Sequence, residues 1–306
     1  MSIVSEGEDI KVSVCVLTYN QVGYISECLL SLINQVTDFK FEVIVGDDCS
    51  TDGTSDVVRS LAEQYPDIVK PLIHEKNVGI TANYLEVHAL ACGKYIAHLD
   101  GDDYALPGKL QAQSDFLDEH PNYNIVWHRM LVENPGTKVV VEDLIDLSRV
   151  SNSFTRKDIF QYITIGMNSS KMYRATARDI ELPDFPLLDY FANVEQVGQG
   201  YAGFVSAKPL GVYRTGIGIA SSGNKTKVLL VKSFDYFLEK YKGSAADISV
   251  SISFLFIAAL KNRRFEDCKL FFPIFVRAFR LTTIPKVWRA SKMLSMLRIP
   301  DAVKSK

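Results

Sequence analysis

The sequence predicts an α/β fold in which helices cover an open, mostly parallel sheet. Short apolar runs alternate with amphipathic segments over the first hundred of its 306 residues, which is the pattern of strand–helix–strand units. The first run, residues 12–17, is almost continuously apolar, as expected of a strand buried on both faces. A hydrophobic fraction of 47% is enough to build a large core.

The elements of this sheet are expected in a regular order. Strands are predicted at residues 12–17, 41–45, 68–73 and 94–99, separated by helices near residues 22–33, 53–65 and 81–91. Apolar residues recur at helical spacing in the first helix, and Pro66 ends the second. Three such units in succession favour one open sheet.

The pattern is less regular beyond Pro107. A helix to residue 119 and strands near residues 124–132 and 138–141 are predicted, followed by mixed segments to residue 224. Residues 225–306 show mainly helical periodicity, and Pro273, Pro285 and Pro300 are expected to break the helices. The sequence therefore predicts a helical extension after the sheet.

Charge is distributed unevenly along the chain. The net charge is only -2, yet residues 261–306 contain 12 Lys or Arg against 3 acids. Aromatic and basic residues alternate in this segment, which favours peripheral attachment to an anionic membrane. The alternative is a helical extension that packs on the catalytic domain or on another subunit. No nucleic-acid partner is expected, because the basic residues lie at one end and no recognition motif accompanies them.

Other features indicate the compartment. Five scattered cysteines and an acidic N-terminus without an apolar core favour a reduced, cytoplasmic location. If the basic segment binds lipid, the protein would lie on the cytoplasmic face of the membrane. The apolar stretches are shorter than the ~18 residues that span a bilayer, so no transmembrane helix is predicted.

Polar clusters follow the first two predicted strands, at the sheet edge where α/β proteins bind ligands. Thr18, Tyr19 and Asn20 follow the first strand, and Asp47 and Asp48 follow the second. A carboxylate there can accept a hydrogen bond from the N–H of uracil, and Tyr19 offers an aromatic surface. Ser50, Asp52 and Thr54 are interpreted instead as caps of the next helix.

Two further clusters follow the third and fourth strands. Asn77, Gly79 and Asn83 could bring the backbone close to a phosphate or ribose, although the same residues also suit a simple turn. Asp100, Asp102 and Asp103 place three acids in four residues. Such crowding favours a cation with hard oxygen ligands, Mn²⁺ or Mg²⁺, over a plain acidic loop.

These clusters carry a resemblance to a known family. The segments are VCVLTYNQ, SLINQ, FEVIVGDDCSTDGT, EKNVGITANY, GKYIAHLDGDDYALPGKL and AKPLGVYRTG, which occur in order between residues 10 and 215. In these segments the chain resembles inverting family 2 glycosyltransferases of the GT-A fold. The resemblance implies a Rossmann-like nucleotide-sugar-binding half at residues 1–115, an acceptor-binding half at residues 116–224 and a basic helical extension at residues 225–306.

The resemblance also implies roles for individual residues. Thr18, Tyr19, Asn20 and Asp48 would hold the nucleoside, with Asp48 on the base, and Asp47 is assigned to the same donor site. Asn77, Gly79 and Asn83 would line the donor pocket. Asp100 and Asp102 would form the D-x-D element, with Asp102 as the direct metal ligand. The catalytic base of the family precedes a Tyr-Arg element, here Tyr213-Arg214, and this position implies Asp189, with Asp184 and Glu195 as alternatives.

The implied activity is transfer of a sugar from a nucleoside diphosphate, preferably UDP, to a hydroxyl of a glycan or lipid-linked acceptor in cell-surface polysaccharide synthesis. Inversion needs one carboxylate to take the acceptor proton and one cation to stabilise the departing diphosphate. Two alternatives stay open: a non-catalytic module that binds sugar nucleotides or membranes, and a metal-dependent nucleotidyltransferase.

Overall fold

The computed structural model describes residues 10–149, 151–217, 224–297 and 299–303, with residue 206 described by its backbone alone. Within these residues nine strands form one sheet. Side chains of the first strand alternate between the two sides of the sheet, so that Cys15 and Leu17 join one hydrophobic cluster while Val14 and Val16 join the other. The core therefore lies on both faces of the sheet, as the apolar first strand predicts.

The N-terminal part of the sheet is parallel. Its strands are β1 (Val12–Thr18), β2 (Phe41–Asp47), β3 (Val69–Ile73) and β4 (Tyr95–Asp100), in the spatial order β3-β2-β1-β4. They are connected by α1 (Ile25–Ile33), α2 (Thr54–Gln64) and α3 (Ile80–Leu90). Thr18 pairs with Asp47 and Leu17 with Asp100. The polar residues that follow these strands consequently meet at one edge.

The second part of the chain continues the same sheet. Its elements are β5 (Tyr104–Ala105), α4 (Lys109–Glu119), β6 (Tyr123–Asn134), β7 (Val139–Glu142), α5 (Arg156–Tyr162), β8 (Met172–Arg174), α6 (Asp189–Gln196) and β9 (Tyr201–Arg214). Strand β8 joins β4 in antiparallel orientation, and a 3₁₀ turn, Asn168–Ser170, precedes it. Strand β9 pairs with β5, which brings Arg214 close to the acidic loop after β4.

The C-terminal part is helical, as the sequence predicts, with α7 (Asn224–Lys240), α8 (Ala245–Lys261), α9 (Phe265–Ala278) and α10 (Thr283–Met296). The expected break at Pro273 is wrong, whereas a break does occur just before Pro285, between the end of α9 at Ala278 and the start of α10 at Thr283. Pro273 lies inside α9 on an exposed side, where solvent can satisfy the carbonyl that loses its partner. Pro285 lies in the first turn of α10, where no helical N–H is required.

One helical stretch is longer than the apolar runs of the sequence suggest, and by length and composition it could cross a membrane. The expectation that the chain has no transmembrane helix stays a prediction. The helical stretch Lys242–Lys261 has a mean hydropathy of 1.7 and sufficient length. The sequence pattern hides this, because serines and Asp247 interrupt the apolar run in its first half. Half of its most apolar window is buried within the protein, and Ile248 and Ile252 belong to the core. The same composition therefore also suits a core helix of this domain.

Candidate functional site

Asp47 supports the loop that follows β2. Its side chain is fully buried, and its two carboxylate oxygens accept hydrogen bonds from the hydroxyls of Ser50 and Ser55. Gly46, just before it, has no room for a side chain, because an added Cβ would lie 2.2 Å from the Asn83 amide oxygen. Contact between Asp47 and a nucleotide stays a prediction, and the geometry gives this residue a supporting role.

Asp48 connects the loops after β2 and β3. Its carboxylate accepts hydrogen bonds from the backbone N–H of Val78 at 2.6 Å and of Gly79 at 3.0 Å. The Asn77 side chain donates to the Asp48 carbonyl at 3.2 Å. Gly79 has a φ of 87°, a conformation that suits glycine. Three of the residues predicted for the sugar-nucleotide site, Asp48, Asn77 and Gly79, are thus joined by hydrogen bonds at the sheet edge.

Asn83 lies beneath this unit. It is buried, donates to the Gly46 carbonyl at 2.9 Å and contacts His74 Nε2 at 3.1 Å through its own oxygen. Because its amide is satisfied by these partners, Asn83 can fix the start of α3 against β2. Its direct contact with a donor stays a prediction.

The segment after β1 forms a second loop beside Asp48. The Asn20 side-chain oxygen accepts from the Thr51 N–H at 2.8 Å, and Thr18 donates its hydroxyl to Gln21 at 2.8 Å. Tyr19 is half-buried and, in the part of the chain that the structure describes, makes no hydrogen bond. Tyr19 therefore leaves its ring available for a ligand, whereas Thr18 and Asn20 shape the loop.

The predicted caps of α2 also connect loops. Asp52 accepts from the N–H and hydroxyl of Thr54 at 3.0 and 2.6 Å, and from the N–H of Val22 at 3.0 Å. Ser50 accepts from the Asn20 N–H at 2.8 Å. The residue that precedes the helix is Gly53, which has no side chain to cap it. The capping interpretation is thus too narrow, since these side chains also hold the loop after β1.

The acidic loop after β4 contains three aspartates in different environments. The Asp100 side chain is 37% exposed, whereas Asp102 and Asp103 are buried. Gly101 between them cannot be replaced without movement, because a Cβ would approach the Leu17 carbonyl to 3.0 Å. Asp103 accepts hydrogen bonds from the Arg214 N–H at 2.8 Å and from the Ser169 hydroxyl. Asp103 therefore anchors the loop to β9 and to the turn before β8.

The pKa values of these carboxyls reflect their environments. Burial, and then the charge of Asp100, raise the pKa of Asp102 to about 6. Burial and the charges of Asp100 and Asp102 hold the pKa of Asp103 well above its ordinary value. Burial also raises the pKa of Asp100, but hydrogen bonds from His98 and Ser169 outweigh it, and the net shift is downward. Asp100 is thus the carboxylate that is most readily ionised.

A buried chain of hydrogen bonds leads to Asp100. His98 Nε2 lies 3.1 Å from Asp100 Oδ1, His88 Nε2 lies 3.2 Å from His98 Nδ1, and the Tyr173 hydroxyl lies 2.7 Å from His88 Nδ1. Because a carboxylate can only accept, each link is assigned as a donation towards Asp100. This chain of hydrogen bonds cannot be predicted from the sequence, since the spacing of its residues along the chain gives no signal of it.

Two buried lysines accompany the acidic loop. Lys109 donates to the Ser169 carbonyl at 2.6 Å, and Lys171 donates to Asn193 at 3.2 Å. Burial lowers the pKa of each to about 8, against the opposing charge of Asp100 on both. These cations partly offset the concentration of negative charge around the loop.

Asp189, from a segment far along the chain, belongs to the same electrostatic environment. It is the first residue of α6 and is exposed, and within the described residues it has no hydrogen bond and no ion pair. Although its side chain reaches solvent, the protein atoms around it displace part of its hydration, which raises its pKa; the charge of Lys171 lowers the pKa and that of Asp100 raises it. Asp189 is thus a solvent-accessible carboxyl close enough to Asp100 and Lys171 for their charges to act on it. It does not act as a side-chain cap of α6.

The two alternatives to Asp189 have different environments. Glu195 accepts hydrogen bonds from Lys240 at 3.0 Å and from the Tyr241 hydroxyl at 3.1 Å, so its carboxylate is already engaged. Asp184 is exposed, and within the described residues no hydrogen bond or ion pair connects its side chain with the acidic loop. Among the three predicted candidates, the geometry therefore favours Asp189.

Arg214 is also fully engaged within the protein. Its guanidinium donates to Glu133 at 3.0 Å, to the Asp102 carbonyl at 3.0 Å and to Glu27. The Tyr24 and Tyr104 rings lie 5.2 and 4.6 Å from its guanidinium carbon. Arg214 thus holds the acidic loop from behind and is not directed towards a ligand.

The possible metal ligands at this edge of the sheet fit a hard divalent cation only in part. The described residues contain no group of three or more His, Cys, Asp or Glu arranged to hold a metal alone. Asp100 and Asp102 offer carboxylate oxygens, and Mg²⁺-type ions are commonly held by one or two carboxylates together with substrate phosphates. The residues therefore fit a cation that is held jointly with a diphosphate.

Comparison with known proteins identifies the family. The sequence profile of glycosyl transferase family 2 matches residues 13–179, more than half of the chain. The chain belongs to glycosyl transferase family 2. The matched region includes the loops after β1 to β4 and the acidic loop, and it ends before Asp189.

Relatives with similar sequences include glycosyltransferases. The putative glycosyltransferase EpsE of Bacillus subtilis is 37% identical over 123 residues, 40% of this chain and 44% of EpsE. The putative teichuronic acid biosynthesis glycosyltransferase TuaG of the same organism is 26% identical over 226 residues, 74% of this chain and 86% of TuaG. An uncharacterized protein of Mycobacterium tuberculosis, Rv1520, is 39% identical over 121 residues, but the match spans about a third of its length, 35%.

Solved structures confirm the predicted GT-A fold of this family 2 protein. S. aureus TarS 1-349 in complex with UDP-GlcNAc has a TM-score of 0.62 at 22% identity, covering 96% of this chain and 83% of that one. Mannosyltransferase PcManGT from Pyrobaculum calidifontis in complex with GDP-Man and Mn²⁺ has a TM-score of 0.53 at 18% identity, covering 94% and 85%. These similarities extend into the C-terminal helices.

Proposed function

We propose that this protein transfers a sugar from a nucleoside-diphosphate sugar, preferably a UDP-sugar, to an acceptor hydroxyl with inversion at the anomeric carbon. The observation that carries the proposal is the position of Asp189, an unpaired and exposed carboxylate whose pKa responds to Asp100 of the acidic loop. The charge effect between Asp189 and Asp100 supports a shared site in which the first accepts a proton and the second helps to bind the diphosphate. An inverting transfer needs these two groups.

Asp189 is the proposed general base. Its carboxylate has no partner within the described residues, and its raised pKa makes it a better proton acceptor than an ordinary aspartate. It would take the proton of the acceptor hydroxyl as that oxygen forms its bond to the anomeric carbon and the bond to the diphosphate breaks. Lys171, buried nearby, would favour the ionised form of Asp189 before the reaction.

Asp100 and Asp102 are the proposed holders of Mn²⁺ or Mg²⁺, with Asp102 as the direct ligand. Such an ion supplies neutralisation of the charge that develops on the departing diphosphate. These side chains suit a cation, because burial and the charge of Asp100 make ionisation of Asp102 less favourable than that of an ordinary aspartate, and a bound positive charge would offset this cost. His98 and Ser169 orient Asp100 through its two oxygens.

The loops after β1 to β3 are the proposed nucleoside site. Tyr19 would supply a surface for the base, and Asp48 with the Asn77–Gly79 loop would line the opposite side. TarS, which was solved with UDP and with UDP-GlcNAc, and PcManGT, solved with GDP-Man and Mn²⁺, share the fold. They support a nucleoside-diphosphate sugar as donor. The acceptor is proposed to be a glycan or lipid-linked hydroxyl of a cell-surface polysaccharide, as the name of TuaG suggests.

A donor screen tests this function directly. Binding of UDP-, GDP- and dTDP-sugars is measured by calorimetry with and without Mn²⁺, in the parent protein and in Asp102→Ala. We expect one nucleotide class to bind in a Mn²⁺-dependent manner and Asp102→Ala to lose that dependence. Asp118→Ala is the matched control, because Asp118 pairs with Lys11 and Lys94 in a different part of the fold. Binding of nucleoside triphosphates with pyrophosphate release would indicate a nucleotidyltransferase instead.

A further inference from the structure

Exposed apolar side chains are concentrated on the last two long helices. Of the nineteen large apolar side chains that are exposed in the described part of the chain, six lie within residues 265–288. These six define the α9–α10 apolar surface: Phe265, Phe272, Val276, Leu281, Ile284 and Trp288. Such a concentration on a short segment indicates a surface with a partner, since isolated exposed apolar residues are normal but clusters are rare.

The spacing shows that each helix has two apolar sides. Phe265, Phe272 and Val276 recur at intervals of seven and four, so they lie on one side of α9, whereas Phe271 and Ile274 on the other side are buried. On α10, Ile284 and Trp288 are four residues apart and exposed, and Ala290 and Met293 are buried. The core accounts for one side of each helix, and the second side lies open to solvent.

Basic residues border this surface. Lys261, Arg263 and Arg264 precede α9, and Arg289 and Lys292 lie on α10. Among the residues that the structure describes, none of these five forms an ion pair, whereas Arg277 and Lys286 pair with acids of neighbouring helices. In the described part of the basic C-terminal segment, these five positive charges are therefore not neutralised by an ion pair.

The positive charge beside the α9–α10 apolar surface favours an anionic lipid surface over a second copy of the chain as its partner. In a symmetric dimer the same basic residues of two copies would face one another, and their repulsion would oppose association. An anionic lipid surface accepts both features at once, because the apolar side chains enter the boundary of the acyl chains while Lys and Arg contact the headgroups. We propose that the α9–α10 apolar surface binds the interface of an anionic membrane, with both helices lying on the bilayer.

The helix α8 supports this orientation. It has the length and hydropathy of a membrane span, but Asp247 in its first turn pairs with Lys286 of α10 and accepts a hydrogen bond from Gln161 of α5. The Ser249 and Thr283 hydroxyls also form a buried contact between α8 and α10. These contacts hold the first half of α8 within the protein and oppose its insertion across a bilayer, whereas the outer sides of α9 and α10 are accessible to lipid.

Tryptophan fluorescence provides a local probe. The chain has two tryptophans: Trp127 is 1% exposed and Trp288 is 80% exposed. The full-length protein is mixed with vesicles of phosphatidylcholine alone and with vesicles that also contain phosphatidylglycerol. We expect a blue shift of the emission and co-sedimentation with the anionic vesicles only. Trp288→Phe should lose the shift and keep the sedimentation.

Charge reversal tests the electrostatic part. The double variant Arg289→Glu, Lys292→Glu should bind anionic vesicles at least about tenfold more weakly, while Arg59→Glu, Lys157→Glu, which changes the net charge equally at exposed sites elsewhere, should bind as the parent does. The melting temperature of each variant checks the fold. Failure of the parent to bind anionic vesicles would overturn the proposal, and so would a concentration-dependent dimer that buries Trp288. Donor binding is measured separately, so failure of this proposal and of the proposed function are distinguishable.

Discussion

His98 Nε2 lies 3.1 Å from Asp100 Oδ1, and the histidine ring is completely buried. The other ring nitrogen of His98 contacts His88, which in turn contacts Tyr173. This arrangement fixes both the ring orientation and the tautomer, because the carboxylate must accept the proton. Outer groups of this kind orient the ligands of a metal site, and the contacts with His98 and Ser169 hold the Asp100 carboxylate in a defined orientation.

We therefore expect His98→Leu to weaken Mn²⁺-dependent UDP binding by roughly 10- to 100-fold. His98→Gln retains a donor and should recover part of the loss. Calorimetric titration of UDP at fixed Mn²⁺ measures the affinity, and UDP titration without metal is the control. If His98→Leu folds normally and binds UDP with Mn²⁺ as tightly as the parent, the positioning role of His98 is wrong.

Asp102 should reduce the stability of the protein without ligand. The pKa of its carboxyl is about 6 in the folded protein and near the ordinary value of about 4 in the unfolded chain. Between about pH 4 and 6 the folded state binds more protons than the unfolded state does. The free energy of unfolding therefore decreases as pH rises from about 4 to 6. Above this range the ionised group costs up to about 3 kcal/mol.

The test compares Asp102→Asn with the parent across this pH range. We expect the variant to unfold at higher urea concentration than the parent at pH 7.5 and at a similar concentration at pH 4.5. Mn²⁺ with UDP should stabilise the parent more at pH 7.5 than at pH 5, because the cation binds the ionised carboxylate. A variant that is less stable than the parent at pH 7.5 would contradict the assignment.

Asp48 is expected to act on the donor site through the loop after β3. The N–H groups of Val78 and Gly79 each donate to one carboxylate oxygen of Asp48. In Asp48→Asn one of these oxygens is replaced by an NH₂ group, which cannot accept, so one backbone N–H loses its partner. Such a loss costs about 1–3 kcal/mol when the group is buried. We expect lower stability together with weaker UDP binding. Asp56→Asn, an exposed substitution on α2, is the control, and UDP affinity equal to the parent in Asp48→Asn would contradict this role.

The sheet could be predicted because its information is local. Residues 12–17 read as a strand buried on both sides, and β1 is observed at Val12–Thr18. Each polar cluster follows a strand directly, so a parallel sheet necessarily brings the clusters to one edge. Position directly after a strand does not distinguish Asp47 from Asp48. Asp47 accepts hydrogen bonds from two serines, whereas Asp48 connects two loops. That difference depends on the direction of side chains in the folded loop.

The supporting residues of the acidic loop could not be predicted from the sequence. Ser169 and Arg214 reach Asp103 from 66 and 111 residues away, and no spacing rule connects them. The helix boundaries in the C-terminal part also depend on the folded environment. Pro273 was expected to end a helix, but its position on the exposed side of α9 makes the lost hydrogen bond tolerable.

The proposed mechanism requires that Asp102 and Asp189, which lie far apart in the chain, serve one bound sugar donor. The most direct measurement is metal-dependent release of UDP from a UDP-sugar by the parent, Asp102→Asn and Asp189→Asn, alongside donor affinity. Asp189→Asn should retain donor affinity while turnover falls by about 10² or more, the effect of a lost general base, and Asp184→Asn should be unaffected. Asp102→Asn should lose Mn²⁺-dependent binding and turnover together. Unchanged turnover in Asp189→Asn would remove it from the mechanism and contradict the shared site.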